Sequence, residues 1–189
     1  MRYSVYKASK IIRMSSAPRP TDQSSSVTLR RARTQDVRGI REIVAPYVEN
    51  RVLLAKEHVA YFEGLQEFRI AEIDGQIAGV GALHVFWEDL AEIRTLAVDS
   101  KFRGRGVGHV LLNKLIEDAR AIGVDRLFCL TFEVRFFERH GFREIDGAPV
   151  TQEVFVELLQ SQDDGVAEFL DLARVKPNTL GNSRMLLDL

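Results

Sequence analysis

The stretch Glu92 to His109 reads E-I-R-T-L-A-V-D-S-K-F-R-G-R-G-V-G-H, and its two halves ask for different structures. Ile93, Thr95, Leu96, Ala97 and Val98 form an apolar run too short for a helix and suited to a buried strand. Asp99 to Lys101 is a polar turn that ends it. Beyond R-G-R-G-V-G at 103–108, Leu112, Leu115, Ile116 and Ala119 keep the i, i+3, i+4, i+7 spacing of an amphipathic helix. The glycines therefore fall between a strand and the first turn of a helix. That turn carries backbone N–H groups without intrahelical partners and the positive end of the aligned peptide dipoles. Gly104, Gly106 and Gly108 leave out side chains that would hold a phosphate away from those donors, and Arg103 and Arg105 add guanidinium forks suited to phosphate oxygens. The stretch reads as a pyrophosphate cradle. It is not a P-loop, because Val107-Gly108-His109 stands where Gly-Lys-Ser/Thr is needed, and it misses G-x-G-x-x-G because the sixth place from Gly104 is His109.

Working outward, the 189 residues suit one domain with a sizeable core. The 46% hydrophobic and 28% charged residues are ordinary globular values. A net charge of −1 points to neither nucleic acid nor a membrane surface, and no apolar run approaches the length of a membrane span. The single cysteine, Cys129, lies in L-F-C-L and reads as core filler in a reducing, cytoplasmic compartment. Nothing in the pattern calls for a metal.

Residues 1–26 are Ser-, Lys- and Arg-rich, have no acid before Asp22, and lack the apolar core of a secretory signal. They are read as a disordered extension, with Met14 as an alternative start, and 27–189 as the folded domain. Thr28 to Arg33 reads as a first strand and Thr34 as the N-cap of a helix on Val37, Ile40, Ile43 and Val44, which Pro46 ends or kinks. Lys56 to Gln66 reads as a second helix on Val59, Phe62 and Leu65. Phe68–Ile73, Asp74-Gly75 and Ile77–Trp87 read as a hairpin. After the cradle helix, Gly123 is a C-cap, 126–131 a strand, 134–140 a short helix, and Gly141-Phe142 the start of another strand. Pro149 opens a further helix in preference to a Thr151 cap, 176–183 is a polar loop, and Met185–Leu189 a closing strand. The expected fold is α/β, a mixed central sheet of about six to seven strands with flanking helices.

Arginine-x-x-Gly-x-Gly between strand and helix resembles the acetyl-coenzyme A motif of the GNAT acetyltransferases. F-F-E-R-H-G-F at 136–142 resembles their later aromatic-aromatic-x-x-x-Gly-Phe signature. Within that superfamily V-L-L-A-K at 52–56, A-L-H at 82–84, E-I-R-T-L-A-V at 92–98, L-T-F-E-V-R-F-F at 130–137 and N-S-R-M-L at 182–186 are similar to the transferase module of the N-acetylglutamate synthases, in its short, free-standing form. The resemblance implies acetyl transfer from acetyl-CoA to the α-amine of L-glutamate, the first step of arginine biosynthesis, with no nucleic acid or membrane partner. A homodimer and arginine feedback stay open.

It also implies roles. An amine must lose its proton before attacking a thioester, so a base is needed near the cofactor's reactive end. Glu92 is the family's carboxylate position, and His84 on the neighbouring strand is the other candidate. Backbone near Leu96, Ala97 and Val98 would supply the oxyanion donor and pair with the pantetheine arm. Many GNAT enzymes place a tyrosine where Phe137 stands. A phenyl ring cannot protonate a thiolate, so Phe137 is a cofactor contact and no side chain is assigned as the acid. Lys56, the backbone of Leu54, Asn182 and Ser183 match acceptor-binding positions, and Arg94 and Arg184 are candidate carboxylate partners. Three readings remain: a glutamate acetyltransferase, an enzyme acting on glutamine or another amine, and a coenzyme A-binding sensor without turnover.

Overall fold

The computed structural model describes residues 26–172 and 181–189. Seven strands form one sheet, β1 (Thr28–Arg31), β2 (Phe68–Ile73), β3 (Gln76–Trp87), β4 (Leu90–Val98), β5 (Arg126–Thr131), β6 (Arg143–Glu144) and β7 (Ser183–Asp188), in the order β1-β2-β3-β4-β5-β7-β6. Every neighbouring pair is antiparallel except β4 and β5. That exception follows from the connection: helix α3 (Val107–Ile122) crosses between β4 and β5 and so brings them parallel. The mixed α/β sheet is the one expected.

Helix α3 buries Leu111, Leu112, Leu115, Ile116 and Ala119, the face set by the sequence spacing, whereas Ile122 at its end is 55% exposed. Gly123 ends it at φ 86°, and the Val124 N–H closes onto the Ala119 carbonyl at 3.3 Å. The helix lies close on β3 because Gly79 and Gly81 have no side chains. A Cβ at Gly79 would stand 2.8 Å from Val107 Cγ1 and 3.0 Å from the Ala97 carbonyl. Gly79→Ala is therefore expected to cost about 1–3 kcal/mol in urea unfolding. Because Val107 is the first residue of α3, the same variant should also displace the start of that helix.

Cys129 is fully buried in the core under α3, as core filler, and burial pushes its thiol well above the ordinary range. On the opposite face, α1 (Val37–Glu49) and α2 (His58–Glu63) pack on β2 and β3, and α5 (Gln152–Leu158) and α6 (Asp164–Phe169) pack near Leu90 and Phe128. Helix α4 (Val134–Glu138) leads into β6.

Four local expectations are corrected. Thr34 does not cap α1. A 3-10 turn over Thr34–Asp36 precedes it, and the buried Asp36 carboxylate, held by Arg30 at 2.6 and 2.9 Å, accepts the Arg33 N–H at 2.7 Å. Pro46 lies inside α1, which runs on to Glu49; Pro46 and Glu42 are both exposed, so the carbonyl robbed of its partner faces water. The second helix stops at Gly64 and buries Tyr61 against Phe68, leaving Val59 at 59% and Phe62 at 46% exposure. Thr151, not Pro149, begins α5, its hydroxyl accepting the Val154 N–H. Residues 1–25, the bulk of the expected extension, and 173–180, most of the expected polar loop, lie outside the described residues.

Candidate active site

Strand β4 carries one residue more than β3 opposite: Val80 faces Ala97 but Ala82 faces Arg94. The extra residue is a bulge at Thr95, a buried β-branched residue at φ 56°. Such a conformation costs on the order of 1–3 kcal/mol and persists only where surrounding packing imposes it. Its effect is to change which side chains face which layer. Ala91 and Ile93 pack under α3, and after the bulge Leu96 and Val98 do so instead. Glu92 and Arg94 are turned to the opposite side, toward α6.

A second feature opens the sheet. Strands β4 and β5 pair only from Leu90 to Glu92 on one side and Arg126 to Phe128 on the other. Past Glu92 they diverge, and a cleft of about 1000 Å³ runs through the gap. The Asp99 N–H donates to Ala78 on β3, so by strand alternation the backbone of Val98 points into the gap. The Tyr47 hydroxyl holds it there, donating to the Val98 carbonyl at 2.7 Å and accepting the Val98 N–H at 3.2 Å. The Arg103 guanidinium lies over the Tyr47 ring.

At the cradle end, the first helical bond of α3 runs from Val110 N to Gly106 O, so Val107, Gly108 and His109 keep unpartnered helix N–H groups, and all three residues line the cleft. The glycines matter for a reason besides the one expected. Gly104 and Gly106 sit at φ 76° and 78°, so backbone conformation alone demands glycine, and the space where a Cβ would be is open. Only Gly108 has a close neighbour there, the Phe136 ring at 3.4 Å. His109 lies tilted against the Phe136 ring, stacks on His140 and meets its Nε2 through Nδ1 at 2.7 Å. These groups fit a pyrophosphate and a pantetheine arm: helix N–H donors, a cationic rim, and an edge of β4 that β5 leaves free.

At the other end Glu92 is buried, and its Oε2 accepts from Arg94 Nε at 2.7 Å, with Arg94 Nη2 equally close. Arg94 Nη1 donates to Asp163 Oδ2 at 3.2 Å, while Asp163 Oδ1 caps α6 by accepting the Val166 N–H at 3.0 Å. Lys56 lines the same space. Burial, then the Arg94 charge, lowers its pKa.

Of the expected site residues, Glu92, Arg94, Leu96, Val98, Arg103 and Gly104 line the cleft, as do Leu54, Lys56, Phe137 and Asn182. Others do not. The Ala97 side chain is buried among α1 residues, and Arg105 lies over Phe102 at the rim. His84 meets Glu67 Oε1 at 2.7 Å outside the cleft, a satisfied strand histidine. Ser183 Oγ donates to Glu144. Arg184 is spent on backbone: it donates to the carbonyls of Gly147 at 2.9 Å, Glu168 at 3.2 Å and Phe169, and covers the Phe128 ring. It anchors the end of α6 and does not reach into the cleft.

The profile of the acetyltransferase (GNAT) family matches residues 37–142, which contain the bulge, the cradle and the splayed strands. The chain belongs to the GNAT acetyltransferase family. Among GNAT relatives, an amino-acid acetyltransferase of Mycobacterium tuberculosis is 53% identical, the alignment covering 84% of this chain and 92% of that protein. A crystal structure of a Mycobacterium tuberculosis protein in complex with CoA and NLQ superposes with a TM-score of 0.84 at 54% identity, over 86% of this chain and 99% of that one. The N-acetylglutamate synthase of Neisseria gonorrhoeae, complexed with coenzyme A and N-acetyl-glutamate, gives a TM-score of 0.70 at 25% identity. There the match covers 88% of this chain but 36% of the synthase.

Among the described residues no helix is long and apolar enough to cross a membrane, and no group of His, Cys, Asp and Glu side chains could hold a metal ion. Sequence reasoning missed Tyr47, Asp163 and Glu168. Glu168 did leave a signal, since a carboxylate inside the apolar run V-A-E-F-L is rarely buried without a reason.

Proposed function

We propose that this GNAT enzyme acetylates the α-amine of L-glutamate, and thereby serves the first step of arginine biosynthesis in the cytoplasm. One observation carries the reading: a single cleft joins a helix N-terminus with a cationic rim to a buried carboxylate and a lysine on the far side of the split sheet. Acetyl-CoA supplies the reactive thioester when bound. The chain's own residues do the rest. The start of α3, with Arg103 and Arg105 at the rim, holds the diphosphate, and the edge of β4 that β5 leaves free aligns the arm along Leu96 and Val98 and offers the Leu96 N–H to the thioester oxygen. Glu92, its carboxylate oriented by Arg94, takes a proton from the attacking nitrogen, directly or through water. Lys56 and the backbone of Leu54, with Asn182 just ahead of the closing strand, face the acceptor's carboxylates.

The Mycobacterium tuberculosis and Neisseria gonorrhoeae relatives support an amino-acid acceptor. Thiol release measured against both substrates tests the arrangement. Lys56→Met should raise the KM for L-glutamate by about 10- to 100-fold, the worth of one charged hydrogen bond, and leave the KM for acetyl-CoA in place. Equal movement of both constants would remove Lys56 from the acceptor site.

A further inference from the structure

Two carboxylates face the acceptor end of the cleft, and their surroundings differ. Glu92 already has two guanidinium nitrogens on one oxygen. Glu168, on α6, is 9% exposed and lines the same cleft, yet among the described residues no donor lies within hydrogen-bonding distance of its carboxylate. Its position is enforced from both ends of the helix. Asp163, tied to Arg94, caps the start, and Arg184 grips the carbonyls at the close. A carboxyl held at the cleft wall, with most of its surface out of water and no side-chain partner among the described residues, is stabilised by a cation that enters from the cleft.

Resting on the reading of the site as an amino-acid acetyltransferase, we propose that Glu168 is a second catalytic carboxylate: it receives the acceptor's α-ammonium and takes its first proton. The chemistry has room for two bases. An ammonium that becomes an amide loses two protons while one N–C bond forms and one C–S bond breaks. One proton ends on the sulfur of the thiol product and the other in solvent. Glu168 takes the proton that must leave before attack, and Glu92 the one that leaves as the new bond forms. Glu92, compensated by Arg94, has little charge to offer an ammonium, whereas Glu168 gains the counter-ion it lacks.

Its surroundings tune it for this. Burial, then the Glu92 charge, push its pKa up to about 7; Asp164 pushes the same way, and Arg94 and Arg184 oppose. Lys56 lines the same cleft, its own charge disfavoured by burial. A carboxyl titrating near neutrality is matched to the task of a base at physiological pH.

The test is the pH profile of kcat/KM for L-glutamate in the wild type and in Glu168→Gln, with coenzyme A affinity as the control for folding. The wild-type value should fall below about pH 7. At neutral pH the variant should be about 100-fold slower. Its deficit should shrink by about tenfold per pH unit as free amine accumulates, because high pH replaces the missing base. A profile parallel to the wild type's, or a wild type with no ionisation near neutrality, overturns the assignment.

Stability gives a readout independent of turnover. Glu168 holds its proton from the ordinary value of 4.5 up to about 7 in the folded state only, so across that window wild-type stability should fall with rising pH relative to Glu168→Gln. Equal pH dependence in the two proteins also overturns it. If the wild type acetylates no amine at all, the transferase reading itself fails, a result distinct from either of these.

Discussion

Glu92→Gln is expected to lower kcat for acetyl transfer by about 10²–10³-fold, the usual worth of a positioned general base, at every pH and without loss of coenzyme A affinity. The substitution keeps the volume and a carbonyl oxygen to receive the Arg94 Nε proton, so the bulge, the split between β4 and β5, and the cradle should survive. What it removes is the oxygen proposed to take the proton of the attacking nitrogen. Persistence at high pH separates this defect from that of Glu168→Gln, because a free amine has still to lose a proton as the amide forms. A sensor that binds coenzyme A without turnover would be indifferent to the change. Activity within twofold of the wild type would take the base role away from Glu92.

The second large effect is on stability. Arg94→Met strips the guanidinium from a pair whose side chains are 8% and 6% exposed and leaves the Glu92 charge buried without its partner. Breaking a buried pair from one side costs about 3–5 kcal/mol, a large share of the about 5–15 kcal/mol that a domain has in hand. Asp163 loses its ion pair at the same time, so α6, and Glu168 with it, should loosen first. Urea unfolding of Arg94→Met, Glu92→Gln and the double variant measures this directly. The double variant should recover part of the loss, because no unpaired charge then remains at residue 92. Simple additivity of the two single changes would mean that the pair is not coupled.

What the chain announces about itself is local. The strand, turn and helix around residues 92–122 were legible because periodicity and glycine punctuation act over a few residues, and the Asp74-Gly75 hairpin for the same reason. The bulge at Thr95 left no mark, since a β-branched residue is the last type expected at positive φ. The partners of the site were hidden by distance along the chain. Arg94 meets Asp163 across 69 residues and Tyr47 meets Val98 across 51. Arg184 shows the limit of residue type: its charge suggested a carboxylate ligand, but its acceptors are backbone carbonyls, which every residue carries. The acid-rich end of the cleft became visible only when α6 was laid against β4.

We propose that this cleft brings a thioester and an amino-acid amine together. Thiol release from acetyl-CoA by the purified protein, run against L-glutamate, L-glutamine and a panel of other amines with the product's acetyl group located by NMR, tests it most directly. Saturable release with L-glutamate and an acetyl group on the α-nitrogen is the predicted result. Release confined to an amine that is not an amino acid, or no release with any amine despite coenzyme A binding, would contradict it.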